Sequence, residues 1–164
     1  SGWQACEAKR QKTLTRAELD GLVGKPLGVS EWLRIDQARI DAFADVTEDH
    51  QFIHVDPKRA AATPFGGTIA HGLLTLSMIV RLCWDFVPKV ERTELVLNYG
   101  FDKVRFVTPV KVDSRIRANA QLASVNERKR GQILIVMSVE IEIEGEKKPA
   151  LIAEWLSLHI VSAG

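Results

Sequence analysis

Residues 70–86 limit what this chain can become more than any other stretch of it. Leu73, Leu74, Leu76, Met78, Ile79, Val80 and Leu82 crowd a segment that reads as one helix, apolar on nearly every side. Such a helix has no face to offer water, so it must be buried all round or wrapped by a sheet. His71, Gly72, Thr75, Ser77 and Arg81 interrupt the run too often for a membrane span. Pro88 ends it.

The sheet is supplied downstream. Ile116, Ala118, Ala120 and Leu122 alternate with Arg115, Arg117, Asn119 and Gln121. Ile133, Ile135, Met137, Val139, Ile141 and Ile143 repeat the pattern against Glu140, Glu142 and Glu144. A period of two is that of a strand with one buried face. Further strands are expected over 93–106 and about 150–160, with turns at 126–131 and 145–149. Helical residues first and strands after gives the α+β class, with the long helix laid on the concave face of a curved antiparallel sheet.

Ahead of the long helix, Asp36 caps a second one reaching Thr47, with Ile40, Phe43, Ala44 and Thr47 at helical spacing. Pro57 can start a short helix through Ala62, and Thr63-Pro64-Phe65-Gly66-Gly67 reads as a turn cluster. The first 30 residues are polar and irregular, with a short helix around 16–23. No repeat or linker divides the chain, so residues 1–164 are expected to form a single domain, long enough for a real core.

Hydrophobic residues make up 46% and charged residues 26%, which argues against disorder. A net charge of +1 gives no general attraction to nucleic acid. Cys6 and Cys83 are too few and too far apart for a disulfide framework, and Cys83 reads as a free buried thiol. A reducing, cytoplasmic setting with no targeting segment and no membrane partner is the expectation.

Polar chemistry gathers between the two helices. Asp49, His50, Gln51, His54, Asp56 and His71 fall within 23 positions and include three of the four histidines. Some have plain structural uses: Asp56 as a cap before Pro57, His50 as a solvated loop residue, His71 as donor to a loop carbonyl. Asp49 and His54, five apart and flanked by Phe52, Ile53 and Val55, can converge on one pocket as an acid–base pair. Gly72 then opens the long helix with an unpaired amide and no side chain to block a carbonyl. His50 and His54 are four apart, a zinc spacing only on a helix; without a His-Glu-x-x-His run, no metal is expected.

The run DHQFIHVDPKRAAATPFGGTIAHGLLTLS, residues 49–77, resembles the hydratase signature of the MaoC-like, (R)-specific enoyl-CoA hydratases. LNYGFDKVRFVTPV and KPALIAEW resemble its NodN-type branch of single hot-dog proteins, and the likeness spans about 29–160. It implies the hot-dog fold, a homodimer, and syn addition of water to a trans-2-enoyl-CoA or the reverse dehydration, within fatty acid metabolism. Asp49 and His54 match the catalytic pair and Gly72 the oxyanion donor. His71 and Gln51 fall beside the substrate, and Ser77 serves packing or orients the pair. The acyl-CoA is the substrate and no further cofactor is implied. Lys103 and Arg105 are candidate CoA contacts, against a solvated strand face, while Arg128, Lys129 and Arg130 read as a hairpin tip. Gln51-Phe52 stands where many members carry Asn-Pro. An acyl-CoA thioesterase or a non-catalytic acyl-CoA-binding protein would use the same fold.

Overall fold

The structure, a computed structural model, describes residues 11–162, so Cys6 lies outside it. Thr13–Leu14 (β1) leads into α1 (Arg16–Asp20), where Thr15 and Glu18 form a reciprocal capping box. Pro26–Val29 (β2) and Leu33–Arg34 (β3) follow, then α2 (Gln37–Thr47), capped by Asp36 through the Arg39 amide. Two single turns come next, α3 (Phe52–Val55) and α4 (Pro57–Ala60), the latter capped by Asp56. The apolar run forms α5 (Gly72–Ser77) and α6 (Ile79–Cys83). β4 (Lys89–Val90), β5 (Thr93–Phe106), β6 (Arg115–Lys129), β7 (Gln132–Ile143) and β8 (Leu151–Val161) complete the chain.

Every pairing in the main sheet is antiparallel, in the order β2-β6-β7-β8-β5, with β3 also on β6. The pleat sends Ile116, Ala118, Ala120 and Leu122 of β6 inward with the apolar set of β7. Leu74, Met78, Ile79, Leu82 and Cys83 close on them from the helices. α6 packs over β6, where Ala118 and Ala120 are small enough to let it approach. This is the helix-in-sheet arrangement that the run 70–86 demanded. Cys83 is free and buried, and burial pushes its thiol up to about 12, which makes it inert packing. No helix among the described residues is long and apolar enough to cross a membrane.

Four details differ from the sequence expectation. The long helix is not one rod: the Met78 amide is shared between the Leu74 and Thr75 carbonyls, at 3.1 and 3.2 Å, which interrupts it. Nor is it buried all round, because Leu73, Ser77, Arg81 and Trp84 form an exposed stripe, with Leu73 60% exposed. The irregular N-terminal region contributes β2 to the sheet edge, and Gly28 there meets the Phe86 ring so closely that a Cβ would lie 2.8 Å from it. The turn expected over 126–131 shrinks to Arg130-Gly131, with Gly131 at φ +77°.

One strand of these pairings carries a buried histidine. His159 on β8 is 1% exposed, and burial, helped by Lys89, lowers its pKa from 6.5 to about 4. The unfolded chain therefore binds a proton that the folded one refuses. Its contribution is complete above pH 6.5 and fades as pH falls toward 4. His159→Leu is expected to remove on the order of 3 kcal/mol from the acid loss of stability between those limits. Urea unfolding at a series of pH values measures it, and parallel curves for the two proteins would contradict it.

Candidate active site

α2 ends at Thr47, and Glu48 takes the left-handed conformation, φ 61° and ψ 19°, that usually falls to glycine. This residue carries Asp49 out of the helix into an exposed loop. Five residues on, the single turn α3 presents His54, which is 7% exposed. Its Nδ1–H donates to the Ile69 carbonyl at 2.7 Å. That bond fixes the neutral tautomer and leaves Nε2 as the free, lone-pair nitrogen. Burial lowers the His54 pKa, and His71 adds to this against the opposing pull of the Ile69 carbonyl and Asp49.

One atom each of the Asp49 carboxylate, His54 and His71 lie within 4.8 Å of one another. Two hydrogen bonds of ~2.8 Å from one water, spread at a tetrahedral angle, put their partners about 4.6 Å apart. Carboxylate and imidazole therefore lie within the span that a single water can bridge. His71 holds the arrangement together. Its Nε2–H donates to the Asp49 backbone carbonyl at 2.9 Å, while its ring stacks on His54 at 3.8 Å and 24°. His71 thus donates to a loop carbonyl and lies against the His54 ring. Each imidazole donates one N–H to a carbonyl and keeps one lone-pair nitrogen, Nε2 of His54 and Nδ1 of His71.

Behind the pair stands Gln37, which sequence reasoning passed over. Its Nε2 donates to the His54 carbonyl at 2.7 Å and to Asp41 at 2.9 Å, and its Oε1 accepts the Thr68 hydroxyl at 2.5 Å. A first-turn glutamine on an exposed-looking helix gives no sequence signal of this. In front lies a cleft of about 380 Å³ whose walls include Ala70, Gly72, Leu73, Phe106, Val107 and Val110, with His54 at its edge. Gly72 heads α5, so its amide is one of those no helical carbonyl can reach. A Cβ there would sit 3.0 Å from the Phe106 ring. The missing side chain makes room first for this aromatic wall, a cause the sequence did not reveal.

The other predicted residues lie elsewhere. Gln51 is exposed, makes no side-chain cap and is not among the walls of the cleft. Ser77 is exposed and donates to the Leu73 carbonyl of its own helix at 2.7 Å, so it does not orient the pair. Lys103 sits at a bulge with φ 52° and reaches Glu154 at 3.3 Å on the outer face of the sheet. Arg105 donates to the Val104 carbonyl, and neither basic residue is among the walls of the cleft. Arg128 lies over the Tyr99 ring at 4.5 Å. His50 pairs with Asp45 in solvent, which raises its pKa.

Gln37→Leu keeps the helix and strands the Thr68 hydroxyl and His54 carbonyl, a loss of about 1–3 kcal/mol. Chemical denaturation should register that loss. A variant as stable as the parent would show that the clamp carries no weight.

Comparison with known proteins follows this geometry. A model of the MaoC like domain matches residues 18–144. Nodulation protein N of Rhizobium meliloti is 46% identical over 146 residues, 88% of this chain and 91% of that protein. The 3-hydroxyacyl-thioester dehydratase Z of Mycobacterium tuberculosis is 46% identical over 144 residues, 88% of this chain and 95% of its own length. The solved (R)-hydratase of A. caviae superposes with a TM-score of 0.63 at 26% identity, covering 80% of this chain and 96% of that one.

Proposed function

The chain belongs to the MaoC-like dehydratase family, and we propose that it adds water to a trans-2-enoyl-CoA or removes it from the (R)-3-hydroxyacyl thioester. One observation carries the reading: Asp49 and His54 approach within 4.8 Å beside the cleft headed by the Gly72 amide. The likeness to a 3-hydroxyacyl-thioester dehydratase supports the same chemistry.

Asp49 and His54 hold one water between them. As its oxygen bonds to the β-carbon, neutral His54 takes a proton at Nε2 and returns it to the α-carbon, while Asp49 orients the water and steadies the charged ring. Negative charge builds on the thioester oxygen, where the Gly72 N–H receives it. Phe106 and Leu73 give the cleft an apolar wall for the acyl chain. The addition is redox-neutral, so these side chains need no cofactor beyond the CoA that the substrate brings. Free Cys83 and a CoA-borne substrate agree with a cytoplasmic protein of fatty acid metabolism.

Asp49→Asn and His54→Ala should each stay folded by circular dichroism and lose about 10²–10⁴ of crotonyl-CoA hydration. Turnover near the parent's would remove that residue from the chemistry. Following enoyl absorbance and free thiol in the same cuvette separates hydration from thioester cleavage, and thiol release alone would mean a thioesterase. Because the His54 pKa is lowered from 6.5, the acid limb of kcat/KM should have its midpoint below that value.

The working unit in this reading is a homodimer. Among the described residues β5 ends the sheet with its second edge unpaired over Thr93–Phe106, and Leu95, Val96, Leu97 and Tyr99 stand exposed along it. An edge so long and apolar calls for a partner strand, and a second copy presents the matching one. Sedimentation of the Val96→Glu, Leu97→Lys double variant should show monomer where the parent shows dimer. A monomeric parent would refute the pairing.

A further inference from the structure

At the far end of α5 and α6 from the catalytic cleft lies a second cavity, of about 290 Å³. It shares no wall residue with the cleft. Val80, Trp84, Val87, Leu95 and Trp155 give it an apolar body. That is far above the ~30 Å³ share of one water and near the lower end of small-molecule sites, ~300 Å³.

Two of the residues that line it hold a buried polar atom with no hydrogen-bond partner among the described residues, His159 Nε2 and Gln11 Oε1. The hydrogen-bond chain beside His159 fixes what Nε2 offers. The Thr93 hydroxyl donates its proton to the Val90 carbonyl at 2.6 Å, so toward His159 Nδ1, 3.5 Å away, its oxygen can only accept. Nδ1 therefore carries the ring proton and Nε2 presents a bare lone pair. Both orphans are acceptors. Of the two indole N–H groups in the wall, that of Trp155 is already spent on Asn98 at 3.0 Å. Lys89 and Glu94, the charged residues of the wall, balance each other and leave no net charge for an ionic head group.

We propose that this cavity is a second binding site, for a neutral ligand made of an apolar chain or ring that ends in a hydroxyl donated to His159. Burial keeps the imidazole neutral and so keeps Nε2 an acceptor. A bare hydrocarbon would leave the two acceptors unpaired, and a carboxylate would set oxygen lone pairs against a nitrogen lone pair. No residue of the proposed hydration chemistry takes part, so the site stands or falls apart from that chemistry, although Leu95 and Val96 belong also to the β5 edge.

The test is calorimetric titration of the full chain with 1-octanol and with octyl methyl ether, which has a similar shape but no donor. 1-Octanol is expected to bind at least tenfold more tightly than the ether. His159→Leu should bring the two within twofold of each other. Equal affinities for alcohol and ether in the parent protein would overturn the proposal, as would no heat from either, the result expected if only water fills the cavity. That comparison needs no variant and holds even if His159→Leu fails to fold. Saturating alcohol should leave crotonyl-CoA hydration within twofold, which marks a free ligand. Competition with a decenoyl-CoA substrate alone would identify the natural source of the hydroxyl as the distal end of an acyl chain.

Discussion

Three buried residues, Thr68 to Ala70, splice the two halves of the site. The Ile69 amide bonds the Ile53 carbonyl at 3.0 Å and its own carbonyl receives His54, tying the segment to α3. On the other side, Ala70 donates to Val110 at 2.8 Å and Val112 donates to Thr68 at 2.9 Å, a bridge to the segment that leads into β6. Without that splice, α3 would be a lone turn with nothing to set its angle to α5. A four-residue helix has no stability of its own. The imidazole is placed by its neighbours' backbone, not by the helix that bears it.

The same logic explains why reactive groups sit on short, irregular pieces while the regular elements carry only packing. β6, β7 and the helices bury continuous apolar rows and form a rigid floor. The loop above it holds left-handed Glu48, exposed Asp49 and the single turns, which the floor alone would not order. Gln37 and His71 supply the order through bonds to main-chain carbonyls, and those bonds tolerate little displacement.

How far the amino-acid sequence could disclose this depends on the range of the forces involved. β6 and β7 were legible because a half-buried strand writes its pleat into every second residue, and the apolar run 70–86 had to be buried all round or wrapped by a sheet. Asp49, His54 and Gly72 were legible by type and spacing, and the structure brings the first two together. β2 was not: four residues with Pro26 and Gly28 carry no alternation, and their place is set by Phe86, distant in sequence. Gln37 and Phe106 owe their importance to partners that only folding brings near. Lys103 and Arg105 flank a bulge in β5 that their residue types did not announce, and it sets which way each side chain goes. Ser77 misled because a helical serine can satisfy itself on the preceding turn.

The anchoring of His54 through Nδ1 also has a stereochemical consequence. An imidazole held at one nitrogen by a buried carbonyl cannot relay a proton through the ring, since the anchored hydrogen has nowhere to go. It is a single-port store, filled and emptied at the same nitrogen. In the proposed hydration, a proton lifted from water at that port is set down on the side from which the oxygen arrived, so a carbonyl that the substrate never touches makes the addition syn.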